Sequence, residues 1–300
     1  MGHEKPRLLI IGAGGFLGQH LARRAASSFE VFEADLKPLP GGRGLTIDTT
    51  SAASVSAAFR ETKPHAVVLL AAISDIDECE RRPDIAEAVN VRGTAHVAEE
   101  CALSSARLVF TSSAAVFDGT KRGYLETDPP TAVSVYGKTK VRGEQLVVRT
   151  LPNAVILRLA LVIGLADGGG TNAMLNKFRE KLRAGEPVSV PDFEYRNPID
   201  AGTLSNFVLD LLAVDSAAGV FHLGARESIS RFELAVRLAG RMGFSNALIQ
   251  RQTQPLAGRA PRGLDHFLVT AKIEGLCRTP VPSVDEVIER AIHGSPQSNS

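Results

Sequence analysis

Residues 107–144, RLVFTSSAAVFDGTKRGYLETDPPTAVSVYGKTKVRGE, form the stretch around which the rest of the chain is organised. Its first seven residues, Arg107–Ser113, are mainly apolar and β-branched, which is typical of a buried strand, and the pattern from Tyr136 onward is typical of a helix. Ser113 is therefore predicted to end a strand. Tyr136 and Lys140 are four positions apart, so on a helix they project from the same face, one turn from each other.

This spacing favours a pair in which Tyr136 acts as a proton donor and acceptor with the help of Lys140. An isolated phenol has a pKa of about 10, and a nearby positive charge lowers that pKa because it stabilises the phenolate. Lys140 would supply the charge, and Ser113 could donate a hydrogen bond to the same substrate oxygen. Ser113, Tyr136 and Lys140 are the catalytic candidates. The alternative is an ordinary helix on which Tyr136 packs and Lys140 is solvated.

A glycine-rich turn near the start of the chain supports the catalytic interpretation. The apolar run Arg7–Ile11 is followed by GAGGFLG and then by a helical pattern, QHLARRAA. Glycines at this position keep the turn tight and let its amides approach a pyrophosphate at the helix N-terminus. The residues assigned to this cofactor site are Gly12, Gly15, Phe16, Leu17 and Gly18.

Acidic residues follow the next two predicted strands. Asp35 ends the predicted strand Phe29–Ala34, about twenty positions after the glycines, where a carboxylate can accept hydrogen bonds from a ribose diol. We therefore expect NAD to be preferred over NADP, although Lys37 and Arg43 lie close enough in sequence to reach a 2′-phosphate. Asp48, after a short predicted third strand, is also assigned to the cofactor site.

Predicted strands and helices alternate through the first half of the chain. The continuous apolar run Ala66–Ala72 suits a parallel strand that is covered on both faces, and a further strand is expected over Ala154–Val162. Such alternation predicts an α/β fold with a Rossmann-type, doubly wound parallel sheet. After about residue 164 predicted strands and helices no longer alternate regularly. Two later helices are predicted to begin with capping boxes at Ser230 and Ser283.

The composition excludes several classes of protein. The 300 residues are 44% hydrophobic and 22% charged, with a net charge of +1, so no basic surface for nucleic acid or membrane is expected. No apolar run is long enough to span a membrane, and the N-terminus has no signal core, so the expected location is the cytoplasm. The three cysteines are widely spaced and predict no redox or metal site.

Together the motifs resemble the extended short-chain dehydrogenase/reductase superfamily of the NAD-dependent epimerase/dehydratase type, and within it the dTDP-4-dehydrorhamnose reductase-like branch. The resemblance covers nearly the whole chain and rests on the glycine motif, on SSAAVFDG and on the Tyr-x-x-x-Lys helix. It implies a Rossmann domain formed by residues 1–164 and 198–224. A smaller C-terminal substrate-binding lobe would comprise residues 165–197 and 225–300.

The resemblance also assigns residues outside the glycine turn. It places Ala71, Ala72 and Asn90 with the cofactor. The substrate would be bound by Ser74, Ser113, Asn172, Arg196 and Arg262. Arginine suits this role because its guanidinium can hold phosphate oxygens bidentately.

Three functions are compatible with these motifs. The leading hypothesis is an NAD(P)-dependent oxidoreductase that interconverts a secondary alcohol and a ketone on a sugar or nucleotide sugar, with Tyr136 as acid and base. A nucleotide-sugar 4-epimerase with retained NAD would use the same residues. The third is a non-catalytic regulatory subunit, because the carboxyl-terminal motifs also resemble the regulatory subunit of methionine adenosyltransferase. Ala114 and Ala115 stand where dehydratases of the superfamily carry an Asp-Glu pair, so no dehydratase activity is expected.

The expected partner is therefore a small-molecule sugar or nucleotide sugar. No nucleic acid, membrane or metal ion is expected. A homodimer is compatible with the sequence, which does not determine the oligomeric state.

Overall fold

A computed structural model describes residues 4–39, 44–165 and 174–293 and has a seven-stranded parallel β-sheet at its centre. The strands are β1 (Arg7–Ile11), β2 (Glu30–Asp35), β3 (Leu45–Thr46), β4 (Ala66–Leu69), β5 (Arg107–Ser113), β6 (Val155–Leu159), β7 (Leu161–Ile163), β8 (Val188–Pro191), β9 (Tyr195–Arg196), β10 (Pro198–Asp200), β11 (Gly219–Leu223), β12 (Ile229–Ser230), β13 (Ile249–Gln252) and β14 (Asp265–His266). The central sheet has the strand order β11-β6-β5-β4-β1-β2-β3. The order reverses between β1 and β4, and ligands of such sheets bind beyond the carboxyl ends of the strands at this point.

Helices cover both faces of this sheet. They are α1 (Phe16–Ala25), α2 (Ala52–Thr62), α3 (Ile76–Arg81), α4 (Pro83–Glu87), α5 (Gly93–Ser104), α6 (Val135–Thr150), α7 (Met174–Arg183), α8 (Ala201–Ala213), α9 (Arg231–Arg241), α10 (Ala271–Glu274) and α11 (Val284–His293). Along β1, Leu8 and Ile10 pack with α1, α8 and α11, whereas Leu9 and Ile11 pack with α2, α5 and α6. Successive strand residues point to opposite faces, so both layers are needed to bury this apolar strand. The predicted α/β, doubly wound fold is confirmed.

Two predicted elements differ in detail from the structure. The strand expected over Ala154–Val162 is two strands, because the chain leaves the central sheet after Leu159 and β7 pairs with β10 instead. The helix expected after Pro83 contains a π-helical turn at Ala88–Arg92, between α4 and α5. The capping box at Ser283 is confirmed, since its hydroxyl accepts a hydrogen bond from the Glu286 amide and its amide donates one to the Glu286 carboxylate. At Ser230 the hydroxyl accepts a hydrogen bond from the Glu233 amide, while the Glu233 carboxylate pairs with Arg237.

The remaining strands form small sheets beside the central one. Sheet β12-β9-β14 and the pair β13-β8 are separate from it, and α7, α9, β8 and β13 share a local apolar core: Leu182, Val190, Ala235, Ala239 and Ile249. We propose a division into residues 1–164 with 198–224, and 165–197 with 225–300. Helix α11 of the second part nevertheless packs against the central sheet. No helix in the described part of the chain is both long and apolar enough to cross a membrane.

Candidate functional site

A cleft of about 640 Å³ lies beyond the carboxyl ends of β1, β4 and β5. The central sheet contributes the glycine turn, the segment after β4, the end of β5 and the start of α6. The small sheets and their loops close the far end. Of the residues predicted from sequence, the cleft is lined by Gly12, Gly15, Phe16, Leu17, Gly18, Ala72, Ser74, Ser113, Tyr136, Lys140, Arg196 and Arg262.

The glycine turn at one end of the cleft is shaped to accept an anion. Gly12 has φ +93°, and a Cβ there would lie 2.7 Å from the amide nitrogen of Ala71. Helix α1 begins with Gly15 as its N-cap, and no side chain caps it and no acid occupies its first turn. Its free amides therefore point positive partial charge at the cleft. This arrangement fits the pyrophosphate of a dinucleotide cofactor.

Asp35 lies at the edge of the same turn. Its Oδ2 accepts a hydrogen bond from the Gly14 amide at 2.9 Å, so the carboxylate at the end of β2 is held against the glycine turn. Lys37 follows two residues later and its side chain is exposed. Arg43, the other cation predicted to reach a 2′-phosphate, lies outside the described residues.

Besides Asp35, three residues assigned to the cofactor do not line the cleft. Asp48 accepts hydrogen bonds from the amide and hydroxyl of Thr50 in the turn after β3. The side-chain amide of the buried Asn90 accepts a hydrogen bond from the Ile73 amide and donates hydrogen bonds to the Ile73 carbonyl and the Thr139 hydroxyl. Asn90 thus pins the segment after β4 to α6. Ala71 donates its amide to the end of β1, where the Ile11 carbonyl accepts it.

The start of α6 is fixed by two capping contacts. Ser134 accepts a hydrogen bond from the Gly137 amide at 3.1 Å, and Glu80 on α3 accepts one from the Val135 amide at 2.7 Å. These contacts satisfy amides that a helix N-terminus leaves unpaired. They set the position of Tyr136, the next residue in the first turn.

The structure brings the three catalytic candidates together in the cleft. The Ser113 hydroxyl lies near the half-buried Tyr136 phenol and favours its deprotonated form. Burial raises the pKa of Tyr136 to about 12, Ser113 opposes that rise, and the nearby Cys79 thiol adds to it. Ser113 also accepts a hydrogen bond from the Ala115 amide at 3.1 Å, which orients its hydroxyl.

Lys140 is buried one turn along the same helix. Its Nζ lies 4.2 Å from the centre of the Phe110 ring. Burial lowers the pKa of this ammonium to about 8, and the Glu144 carboxylate opposes that shift. A lysine with such a pKa changes charge just above neutral pH.

At the far end of the cleft, the Arg196 guanidinium is hydrogen-bonded to other groups of the same chain. Its guanidinium donates hydrogen bonds to the carbonyl oxygens of Tyr195, Gly263 and Leu264 at 2.6–3.0 Å, and its Nη2 lies 3.3 Å from Glu194. Burial lowers the pKa of Arg196 to about 10. Arg196 therefore connects β9 to the loop before β14.

Arg262 is engaged in a similar way. It forms a bidentate ion pair with Asp77 on α3 at 3.1 and 2.7 Å, and the Ala260 amide donates to the same carboxylate at 2.9 Å. These contacts lower the pKa of Asp77 to about 2. The ion pair holds the loop around residues 260–262 across the cleft.

Two further arginines, which the sequence analysis did not assign, line this end. Arg231 lies 3.2 Å from Glu194, and Arg259 forms no ion pair with the part of the chain that is described. Including Arg196 and Arg262, four guanidinium groups line the cleft with three carboxylates, Asp75, Asp77 and Glu194, which leaves an excess of one positive charge. Such an end suits an anionic ligand.

The sequence offered a partial signal for these residues. Arg259 lies in GRAPRG, three positions before the predicted Arg262. Cys79 gave no signal, because its approach to Tyr136 depends on how α3 packs against α6. Asn172 lies outside the described residues. Within residues 4–39, 44–165 and 174–293, no group of three or more His, Cys, Asp or Glu side chains is arranged to bind a metal ion.

Comparison with known proteins agrees with the fold. The family model described as the RmlD substrate binding domain matches residues 6–295, and the chain belongs to this family. It is 28% identical over 285 residues to a dTDP-4-dehydrorhamnose reductase of Aggregatibacter actinomycetemcomitans, covering 92% of this chain and 89% of that one. It is 27% identical over 273 residues to methionine adenosyltransferase 2 subunit beta of Xenopus tropicalis, covering 89% and 81%.

A solved structure shows the same architecture. The crystal structure of dTDP-4-dehydrorhamnose reductase from Bacillus anthracis in complex with NADP superposes with a TM-score of 0.86 at 25% identity. The match covers 96% of this chain and 98% of that one. The predicted resemblance to the dTDP-4-dehydrorhamnose reductase-like branch is confirmed.

Proposed function

We propose that this protein is an NAD(P)-dependent oxidoreductase that interconverts a secondary alcohol and a ketone on a sugar or nucleotide sugar. The observation that carries the proposal is the placement of Ser113, Tyr136 and Lys140 in one cleft with the uncapped N-terminus of α1. The family supports it, since one relative is named a dTDP-4-dehydrorhamnose reductase.

Each residue has a distinct role in this proposal. Tyr136 passes a proton to or from the substrate oxygen, and Ser113 orients that oxygen by hydrogen bonding. Lys140 supplies positive charge beside the phenol. The glycine turn binds the cofactor pyrophosphate, Asp35 binds the adenosine ribose, and the nicotinamide supplies or accepts the hydride when it is bound.

The proposal is tested by following NAD(P)H absorbance with purified protein and a panel of nucleotide-linked and free keto-sugars. Net oxidation of added cofactor with one of these substrates is expected. Tightly retained cofactor, with no net change in external NAD(P)H but with inversion of a sugar carbon, would instead identify a 4-epimerase.

A second candidate function is favoured by the similarity to methionine adenosyltransferase 2 subunit beta. In this alternative the chain binds a partner enzyme and catalyses no reaction of its own. Purification from the native host distinguishes the two. A stable complex with a methionine adenosyltransferase, together with no hydride transfer on the keto-sugar panel, would support the regulatory function.

We propose that NAD is preferred over NADP because the Asp35 carboxylate lies at the ribose end of the glycine turn. A 2′-phosphate there would meet like charge in a partly buried site. The Bacillus relative, by contrast, was solved with NADP, so the preference needs a direct test.

Replacing Asp35 by Ala is expected to narrow or invert the preference for NAD, because the repulsion and the ribose hydrogen bonds are both lost. The measurement is calorimetric binding of NAD and NADP to both proteins. Glu30→Ala is the control, since that exposed carboxylate lies at the opposite end of the same strand, β2. Unchanged NAD selectivity in Asp35→Ala would mean that another group holds the ribose.

Arg259 is a better candidate than Arg196 or Arg262 to bind the anionic end of the substrate, because the guanidinium groups of Arg196 and Arg262 are already paired within this chain. Replacing Arg259 by Ala is expected to raise KM by roughly tenfold or more with little change in kcat, since a hydrogen bond to a charged group contributes about 1.5–3 kcal/mol. Steady-state kinetics with a nucleotide sugar measures this. Arg60→Ala, on the outer surface of α2, is the control. An unchanged KM would point to an unphosphorylated substrate.

A further inference from the structure

A row of polar side chains crosses the sheet beneath α6. Ser112, Arg158 and His222 occupy paired positions on the neighbouring strands β5, β6 and β11. Residues paired in register point to the same face of a sheet. All three are buried, in a layer that is otherwise formed by apolar residues such as Phe110 and Ile156.

Glu144 on α6 joins this row to the helix. Its Oε1 accepts hydrogen bonds from the Ser112 hydroxyl at 2.5 Å and from Arg158 Nε at 2.9 Å, and its Oε2 accepts one from Arg158 Nη2 at 2.7 Å. The two charged side chains are only 7% and 4% exposed. Burying an ion pair costs desolvation energy, and well-packed apolar residues are often equally stable in its place, so stability alone is a weak explanation for it.

His222 completes the row as a neutral group. Arg158 Nη1 lies 3.4 Å from its Nε2, so Nε2 acts as the acceptor and Nδ1 donates to the Tyr124 carbonyl at 3.1 Å. Burial and the Arg158 charge lower the pKa of His222 to about 3. At neutral pH the row and Glu144 together therefore contain one anion, Glu144, and one cation, Arg158.

The contacts of Glu144 connect the two elements that carry the catalytic candidates. Ser112 immediately precedes Ser113 on β5, and Glu144 lies one helical turn after Lys140 and two turns after Tyr136. The Ser112–Glu144 hydrogen bond thus fixes α6 relative to the strand that carries Ser113. Any sliding of the helix would have to break this buried, charge-assisted contact.

We propose that Glu144 is a positioning residue, which holds Tyr136 against Ser113 through its bonds to Ser112 and Arg158 and maintains the positive charge of Lys140. This inference rests on the proposed function for its effect on turnover. Its effect on Lys140 can be measured without any activity.

The charges around Lys140 determine the sign of the expected pH effect. Glu144 is the anion facing it from α6. Arg158 is the cation beyond Glu144 on β6, and Tyr136 lies on the cleft side. Removing the Glu144 charge leaves burial and Arg158 to oppose protonation. Lys140 must then lose its proton at a lower pH, and activity that needs the ammonium must decline at a lower pH as well.

The test follows the Nζ nitrogen of Lys140 by NMR across the pH range, with labelled lysine and Lys140→Met for the assignment. In Glu144→Gln the midpoint is expected to fall by about 1 unit, the usual effect of losing a neighbouring opposite charge. Glu233→Gln is the matched control, because Glu233 pairs with Arg237 at an equivalent i,i+4 spacing on the exposed face of α9. In Glu233→Gln, Lys140 should titrate with the same midpoint as in the wild type.

Ser112→Ala tests positioning separately and keeps the buried ion pair, so it remains informative if Glu144→Gln does not fold. It is expected to lower kcat by roughly tenfold to a hundredfold with KM little changed, because small misplacements of reacting groups carry such costs. Glu144→Asp should restore the Lys140 titration midpoint. A wild-type titration in Glu144→Gln, or wild-type kcat in Ser112→Ala, would overturn the inference. Absence of hydride transfer in the wild type would refute the proposed function and leave the NMR result to decide the role of Glu144.

Discussion

Replacing Tyr136 by Phe is expected to lower kcat by roughly 10² to 10⁴-fold, the usual contribution of a positioned acid or base. The change removes only the phenolic oxygen, which lies near Ser113 in the cleft. The ring remains, so α6 keeps its packing and the glycine turn keeps its shape. Cofactor binding, measured by calorimetry, should therefore change little.

Tyr195→Phe is the matched control for this variant, because the Tyr195 side chain does not line the cleft. It should retain wild-type kcat. If Tyr136→Phe also retained wild-type turnover with a confirmed substrate, the acid and base role of Tyr136 would be refuted.

Replacing Gly137 by Ala is expected to give the largest loss of stability. A Cβ at Gly137 would lie 2.1 Å from the carbonyl oxygen of Ala115 and 3.0 Å from Ala132 Cβ. The first atom is backbone in the turn that directly follows Ser113, so it cannot move away cheaply. We expect the free energy of unfolding to fall by about 3 kcal/mol, at the upper end of typical overpacking costs. Turnover should fall too, since α6 must shift away from β5.

Thermal and denaturant unfolding measure the first effect. Gly240→Ala in α9 is the control, because a Cβ there meets only Asn246 Oδ1, at 3.7 Å. In a helix this substitution should leave stability unchanged or raise it by about 0.5–1 kcal/mol. If Gly137→Ala and Gly240→Ala unfolded at the same temperature, the stability of the protein would not depend on the close approach of α6 to the Ala115 turn.

The prediction from sequence was most successful where a signal is local. Apolar runs identified the central strands, because a strand covered on both faces needs apolar side chains on both. The glycine turn was identified because a strand, a tight turn and a helix follow each other within a few residues. The break after Leu159 was missed, since apolar residues continue on both sides of it and the two strands are distinguished by their partner strands.

The far end of the cleft shows the limit of such reasoning. Arg196 and Arg262 were chosen as anion ligands from their place in the chain, but their guanidinium groups are largely occupied by carbonyl oxygens and by Asp77. The Asp77–Arg262 pair joins residues 185 positions apart. No periodicity or motif reports such a contact.

The sequence by itself determined the doubly wound fold, the glycine turn and the helical spacing of Tyr136 and Lys140, because these depend on residues close together in the chain. The tertiary structure decided which side chains face the cleft and which are held by the protein. It placed Arg259 in the cleft, Cys79 beside Tyr136, and Glu144 between Ser112 and Arg158. The physical reason is that hydrogen bonding and burial of a side chain depend on neighbours from distant segments, which meet only when the sheet and its helices are assembled.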